Sequence, residues 1–250
     1  EKTKQTIRLA KMNLAVHGLE GNIAEANTFY EDAHNLVGKA DFVMANPPFN
    51  VDGVDADKIK TDPRLPFGLP GTTNKGKQVS SANYLWISYF YSYLCEKGRA
   101  GFVMSSQASS AGGADRDVRQ KLVETGHVDV MISIRSDFFY TLSVPCELWF
   151  FNKNKNDSIK DKVLMIDARH IYTNTPTKAK RNQKDFSKEQ LKNIKAIVHL
   201  YRKEKEAYLE IIKNYFLEIS EILSGIPDML KTYIKLISAV DGLDVKKELE

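Results

Sequence analysis

The stretch Asp41-Phe42-Val43-Met44-Ala45-Asn46-Pro47-Pro48-Phe49 decides how the rest of the chain is read. Its first five residues form a compact apolar run, and the prolines behind Asn46 have no N–H with which to extend a ladder. The pattern predicts a buried strand over 41–45 that stops at its carboxyl edge. In open α/β sheets ligands collect beyond such edges, which makes Asn46 a candidate ligand-facing residue. Asn-Pro is also a common turn dipeptide, so a plain strand-ending turn is the competing reading.

Outward from this point, helices and strands alternate. Ile7, Ala10 and Leu14 recur at helical spacing and Gly18 is a natural cap; a short strand is expected around Ile23–Asn27. Residues 50–80, with Pro63, Pro66 and Pro70, read as a long functional or disordered loop. A helix over Ser81–Lys97, stopped by Gly98, precedes a strand over Arg99–Ser105. Asp115–Glu124 reads as a helix with Val118, Leu122 and Val123 inward. Val128–Ile134 and Cys146–Asn152 read as strands that pair as a hairpin, and Lys162–Ala168 as one more.

Beyond residue 186 the pattern becomes helical throughout. Ser187 with Gln190 forms a capping box, followed by Leu191, Ile194, Ile197 and Tyr201 on one face; a break is expected at Gly225 and Pro227. The expected organisation is a partial α/β domain over 1–186 and a helical appendage over 187–250. The fold class is α/β, with a Rossmann-like sheet.

Bulk properties narrow the functions. A hydrophobic content of 42% supports a packed core, and no apolar run approaches the length of a membrane span. The opening Glu1-Lys2-Thr3-Lys4 does not resemble a secretory signal. Cys95, Cys146 and five scattered histidines have no metal-type or disulfide-type spacing, so a cytoplasmic protein without a metal site is expected. The net charge of +4 permits nucleic-acid contact without requiring it.

The residue types at 46–49 suit one chemical problem. The exocyclic amine of adenine is a poor nucleophile because its lone pair is delocalised into the ring. An asparagine oxygen and a proline carbonyl that accept its two hydrogens localise that lone pair toward a methyl donor. Consecutive prolines stiffen the carbonyl, and an aromatic ring one residue later stacks on a base that has left the duplex. Asn46, Pro47, Pro48 and Phe49 supply these parts in order.

With Arg8–Leu14, Gly98–Val103, Ser136–Tyr140 leading into Val144-Pro145, and Asp167-Ala168-Arg169, residues 1 to about 205 resemble the modification subunit of type I restriction enzymes. The resemblance implies an S-adenosylmethionine-dependent adenine-N6 DNA methyltransferase, acting on duplex DNA with a separate specificity subunit and a restriction subunit. It implies that Asn46, Pro47, Pro48 and Phe49 are catalytic. It also implies that Glu1 meets the cofactor ribose and Asn27 its adenine, and that Phe139 and Tyr140 border the target-base pocket. Read from the residues alone, Glu1 is equally an exposed terminal charge, Asn27 a turn residue, and Phe139 and Tyr140 core aromatics. The Gly-rich cofactor loop of the family does not occur in these residues, so this chain alone is expected to bind the cofactor weakly or not at all.

Other readings remain open. A protein-glutamine or RNA-guanine methyltransferase uses the same tetrapeptide logic, and a non-catalytic assembly subunit would need none of it. The basic residues at 58–77 (Lys58, Lys60, Arg64, Lys75, Lys77), 153–162 and 178–184 (Lys178, Lys180, Arg181, Lys184) are candidate phosphate contacts or solvated loop charges. The apolar C-terminal helices call for a docking partner, for which the resemblance suggests the specificity subunit.

Overall fold

A computed structural model of the chain describes residues 1–73, 75–139, 142–176 and 182–238. They fall into two compact units, Glu1–Gln190 and Leu191–Glu250.

The first unit opens with α1 (Lys4–Val16). Gly18 adopts φ +66° and donates to Ala15 O, while Leu19 donates to Leu14 O. These two bonds close a Schellman cap, which needs a left-handed residue where glycine stands. Ile23–Asn27 is not a regular strand. Instead Glu1 donates to Ala24 O and Ala26 donates back to Glu1 O, the bond pattern of two parallel strands at a single step.

β1 (Ala40–Ala45) is an edge strand rather than the buried one expected. Val43 and Ala45 pack on the core, whereas Phe42 and Met44 on the opposite face are 79% and 93% exposed. The apolar run had suggested burial on both faces, but among the described residues only the Val43 and Ala45 face is covered by the core.

The described residues of 51–80 form an ordered insertion, not a structureless loop. They contain β2 (Val54–Asp55), α2 (Ala56–Ile59), β3 (Thr72–Thr73) and β4 (Gln78–Val79), with β4 between the other two strands. Val54, Ile59, Leu65 and Val79 give this insertion its own apolar cluster.

α3 (Asn83–Tyr93) explains how one helix serves two cores. Tyr84, Ile87 and Phe90 lie three residues apart and face the main cluster. Leu85 and Tyr89, four apart, face the insertion cluster. A helix apolar on both sides is a buried helix. It ends at Tyr93, earlier than the expected Lys97, and the chain passes directly into β5 (Leu94–Ser105).

The short α4 (Gln107–Ser110) and α5 (Gly113–Glu124) follow. In α5 Val118 and Leu122 are buried, but Val123 is 45% exposed, one step round the helix from the inward face. β6 (Val128–Ile134) and β7 (Cys146–Asn152) pair antiparallel, a 3-10 turn covers Asp157–Ile159, and β8 (Leu164–Asp167) returns parallel to β6. The five-stranded order is β1-β5-β7-β6-β8, in which β7 alone runs antiparallel to its neighbours. Trp149, Phe151, Phe102 and Met104 fill its centre, each worth roughly 1.5–3 kcal/mol of burial. A hairpin of β9 (Thr173–Pro176) and β10 (Asn182–Asp185) completes the sheets.

α6 (Lys188–Arg202) begins at a reciprocal cap. Gln190 N donates to Ser187 Oγ at 3.2 Å, and Ser187 N to Gln190 Oε1 at 2.8 Å. In the second unit α7 (Lys205–Ser238) runs unbroken through Gly225 and Pro227, where a break was expected. Its Ile222, Ile226, Met229 and Tyr233 recur at helical spacing and are exposed. No described helix is long and apolar enough to cross a membrane.

Candidate active site

Parallel pairing sets the site. Ala45 of β1 lies beside Phe102 of β5, and β6 and β8 run in the same direction as these strands. The carboxyl ends of four strands therefore share one edge of the sheet. Asn46 leaves β1 at that edge, exposed, with no hydrogen-bond partner for its side chain among the described residues. Pro47 is buried beneath it and Pro48 is exposed.

Phe49 is half-buried against the main core, and its ring meets that of Phe139 edge-on, centroids 6.3 Å apart and planes at 66°. Tyr140, the other expected pocket aromatic, lies outside the described residues. Phe139 belongs to the loop that leaves β6, and several contacts hold that loop. Asp137 takes a hydrogen bond from Ser143 Oγ and an ion pair from Lys184 Nζ at 3.0 Å, and Phe138 packs on Phe186 at 4.9 Å. The Ser143 hydroxyl and the Lys184 ammonium hold the Asp137 carboxyl well down, to about 2.

The segment beyond β5 is tied down at the same edge. Tyr84 Oη donates to Ala108 O at 2.7 Å, and burial pushes this phenol up to about 12. Ser109 Oγ donates to Glu147 Oε1 at 2.8 Å, while Trp149 Nε1 donates to Glu147 Oε2 at 3.1 Å.

The two residues expected at the cofactor lie on adjoining segments. Glu1 brackets the backbone of Glu25, two residues before Asn27. Glu1 Oε1 accepts from Thr3 N, and Asn27 Oδ1 accepts from Phe29 N. Among the described residues, Glu1 Oε2 and the Asn27 amide nitrogen have no partner, so an acceptor for hydroxyls and a donor for a ring nitrogen remain. These polar atoms fit the adenosine half of S-adenosylmethionine. The loop behind Asn27 is anchored by Arg64, 1% exposed, which donates to Thr28 O, Glu31 O and Tyr93 Oη and pairs with Asp62 at 2.7 Å. Phe29 stacks at a tilt on Trp86 of α3, 4.7 Å between centroids.

Several basic residues expected as phosphate contacts are used internally. Lys153 Nζ donates to Leu94 O and Lys155 Nζ to Val128 O, both at 2.8 Å, as Arg64 does to its own carbonyls. Lys58 and Lys60, by contrast, stay exposed in surface pairs with Asp55 and Asp57. Lys178, Lys180 and Arg181 lie outside the described residues. No group of three or more His, Cys, Asp or Glu suited to a metal ion occurs among the described residues. A cavity of about 520 Å³ beside Arg64, lined by Tyr30, Asp32, Lys39, Lys58 and Asp62, contains none of the expected site residues.

Spacing had not flagged Asn50, Asn83, Asp137 or Lys184 as partners. Asn50 carried one signal, as an asparagine is among the few residues that readily take positive φ, and it stands at φ +55°.

The structure is thus a mixed α/β sheet that presents an Asn-Pro-Pro-Phe turn at its carboxyl edge. The chain belongs to the family described as N-6 DNA Methylase, whose model matches residues 1–222. It is 38% identical over 191 residues to the type I restriction enzyme MjaIX methylase subunit of Methanocaldococcus jannaschii, covering 75% of this chain and 32% of that one. It is 29% identical to the HindI methylase subunit of Haemophilus influenzae, covering 84% and 47%. Among solved structures, the type I restriction-modification methyltransferase subunit from Streptococcus thermophilus superposes with a TM-score of 0.67 at 24% identity, covering 80% of this chain and 41% of that one. The chain thus spans less than half the length of these relatives.

Proposed function

We propose that this chain carries the catalytic turn of a DNA adenine-N6 methyltransferase, the modification subunit of a type I restriction-modification system. The observation that carries the reading is Asn46: exposed, without a partner among the described residues, at the carboxyl end of β1, with Phe49 beside it. Its amide oxygen accepts one hydrogen of the target amine. The Pro47 carbonyl, stiffened by fixed φ on both sides, accepts the other. Together they localise the nitrogen lone pair, and the Phe49 ring, backed edge-on by Phe139, stacks on the extruded base. Phe139 borders that pocket.

S-adenosylmethionine supplies the methyl group when bound. Glu1 would hold the ribose hydroxyls and Asn27 the adenine, which leaves the methionine half without a holder in these residues. Weak cofactor binding by the chain alone follows. Residues 1–186 carry the chemistry on this reading. Residues 187–250 dock a partner through the exposed apolar side of α7, the specificity subunit being the one that reads the DNA. A restriction subunit completes the assembly for cleavage.

The test is Asn46→Ala in the complete enzyme with its specificity partner, measured as radiolabelled methyl transfer to unmodified duplex. Loss of one preorganised acceptor lowers the rate on the order of 10²-fold or more while DNA binding persists. Methylation at the unaltered rate would refute the assignment.

A further inference from the structure

We propose that Asn83, the first residue of α3, is a positioning residue that aims the catalytic turn by gripping Asn50. This rests on the methyltransferase reading above and adds a residue to it. Asn83 is 4% exposed. Its Oδ1 accepts from Asn50 N at 2.9 Å, and its Nδ2 donates to Asn50 Oδ1 at 2.8 Å, so both ends of the amide are spent on one residue 33 positions away. A third bond, Ala82 N to Val51 O at 2.7 Å, reinforces the junction.

The physical need for this clamp lies in the turn itself. Pro47 and Pro48 have no N–H, so the turn has fewer donors with which to fasten itself. One end is held by the pairing of Ala45 with Phe102. The other end would swing on Asn50, which stands in the left-handed region at φ +55°. Asn83 stops that swing from a helix buried in both apolar clusters. The insertion of residues 51–80 thereby leaves and rejoins the core at one closed point, and its presence does not loosen the turn. A rigid turn matters because misplacing reacting groups by about an ångström costs on the order of 10²-fold in rate.

The experiment uses the complete enzyme with its specificity partner and measures single-turnover methylation, cofactor affinity and melting temperature. Asn83→Ala and Asn50→Gly are each expected to slow the methyl-transfer step on the order of tenfold or more, with cofactor affinity unchanged. Asn50→Asp, which restores an acceptor for Asn83 Nδ2, is expected to recover the rate that Asn50→Gly loses. Asn50 is exposed, so a merely structural role for Asn83 predicts no effect of Asn50→Gly on the rate. If Asn83→Ala does not fold, Asn50→Gly decides alone, and wild-type turnover in that variant overturns the proposal. Asn46→Ala is run alongside. An active Asn46→Ala enzyme sinks the methyltransferase reading itself, whereas an inactive one beside a fully active Asn50→Gly sinks only the role of Asn83.

Discussion

Lys184 of the β9–β10 hairpin reaches Asp137 of the loop after β6 at 3.0 Å, and its own backbone N–H donates to the Asp137 carbonyl. One residue of the hairpin thus holds both the side chain and the backbone of the loop that presents Phe139. Asp137 sits at φ +75°, a conformation that persists only where surroundings enforce it. The Ser143 hydroxyl and the Lys184 ammonium lower its carboxyl to about 2, against about 3.9 in an unfolded chain. The folded value is the lower one, so the anchor is fully present above about pH 4 and is lost as the pH falls toward 2. Lys184→Met is expected to move the Asp137 titration upward, toward the ordinary carboxylate range, in carbon-detected NMR. A titration that does not move would remove Lys184 as a cause.

Arg64→Met tests the anchor of the Asn27 loop. The arginine side chain is 2% exposed and its partner Asp62 11%; the substitution strands that carboxylate and two backbone carbonyls. Removing one member of a buried pair costs about 3–5 kcal/mol. Urea unfolding is expected to show a loss of that order, with a smaller one for Arg64→Lys, which keeps the charge but not the fork. A midpoint equal to that of the parent would show that the loop is held by other means.

Gly98→Ala acts on β1 from beneath. A Cβ at Gly98 would stand 2.7 Å from Ala40 O and 3.0 Å from Leu94 Cβ. The first of these is backbone and the β1–β5 register is already irregular there, so the strand has to shift. Overpacking of this kind costs about 1–3 kcal/mol. Because β1 leads directly into Asn46, the methylation rate is expected to fall together with the unfolding midpoint, and a stable, fully active variant would contradict this.

Pro227→Ala is expected to stabilise α7. Proline in an exposed helix interior is about 3 kcal/mol less favourable than alanine, and Pro227 lies on an exposed stretch of a helix that continues past it. Circular dichroism melting should show greater helix content and a higher midpoint. A fall in helicity would indicate that the proline shapes a contact surface.

The legible parts were those governed by neighbours in sequence. The Schellman cap at Gly18, the box at Ser187–Gln190 and the Asn46–Phe49 turn all follow from local backbone chemistry. Strands β6 and β7 were visible as apolar runs rich in β-branched and aromatic residues. Apolar runs report that a segment is sticky, not how many of its faces are covered. Hence β1 read as buried, although Phe42 and Met44 are open to solvent. Proline and glycine density at 50–80 reported irregular backbone, but not that Ile59, Leu65 and Val79 close around α3.

By itself the sequence determined where the backbone must turn or cap and which atoms a turn such as Asn46–Phe49 can offer, because proline rings and asparagine amides act within a few residues. Only the tertiary structure decided that Asn83 clasps Asn50, that Lys184 holds Asp137, and that Arg64 is an internal strut rather than a phosphate contact. Those pairings join residues 33 and 47 positions apart, or turn a surface-type cation inward. Their partners are chosen by how the strands and α3 pack, which leaves no periodic trace along the chain.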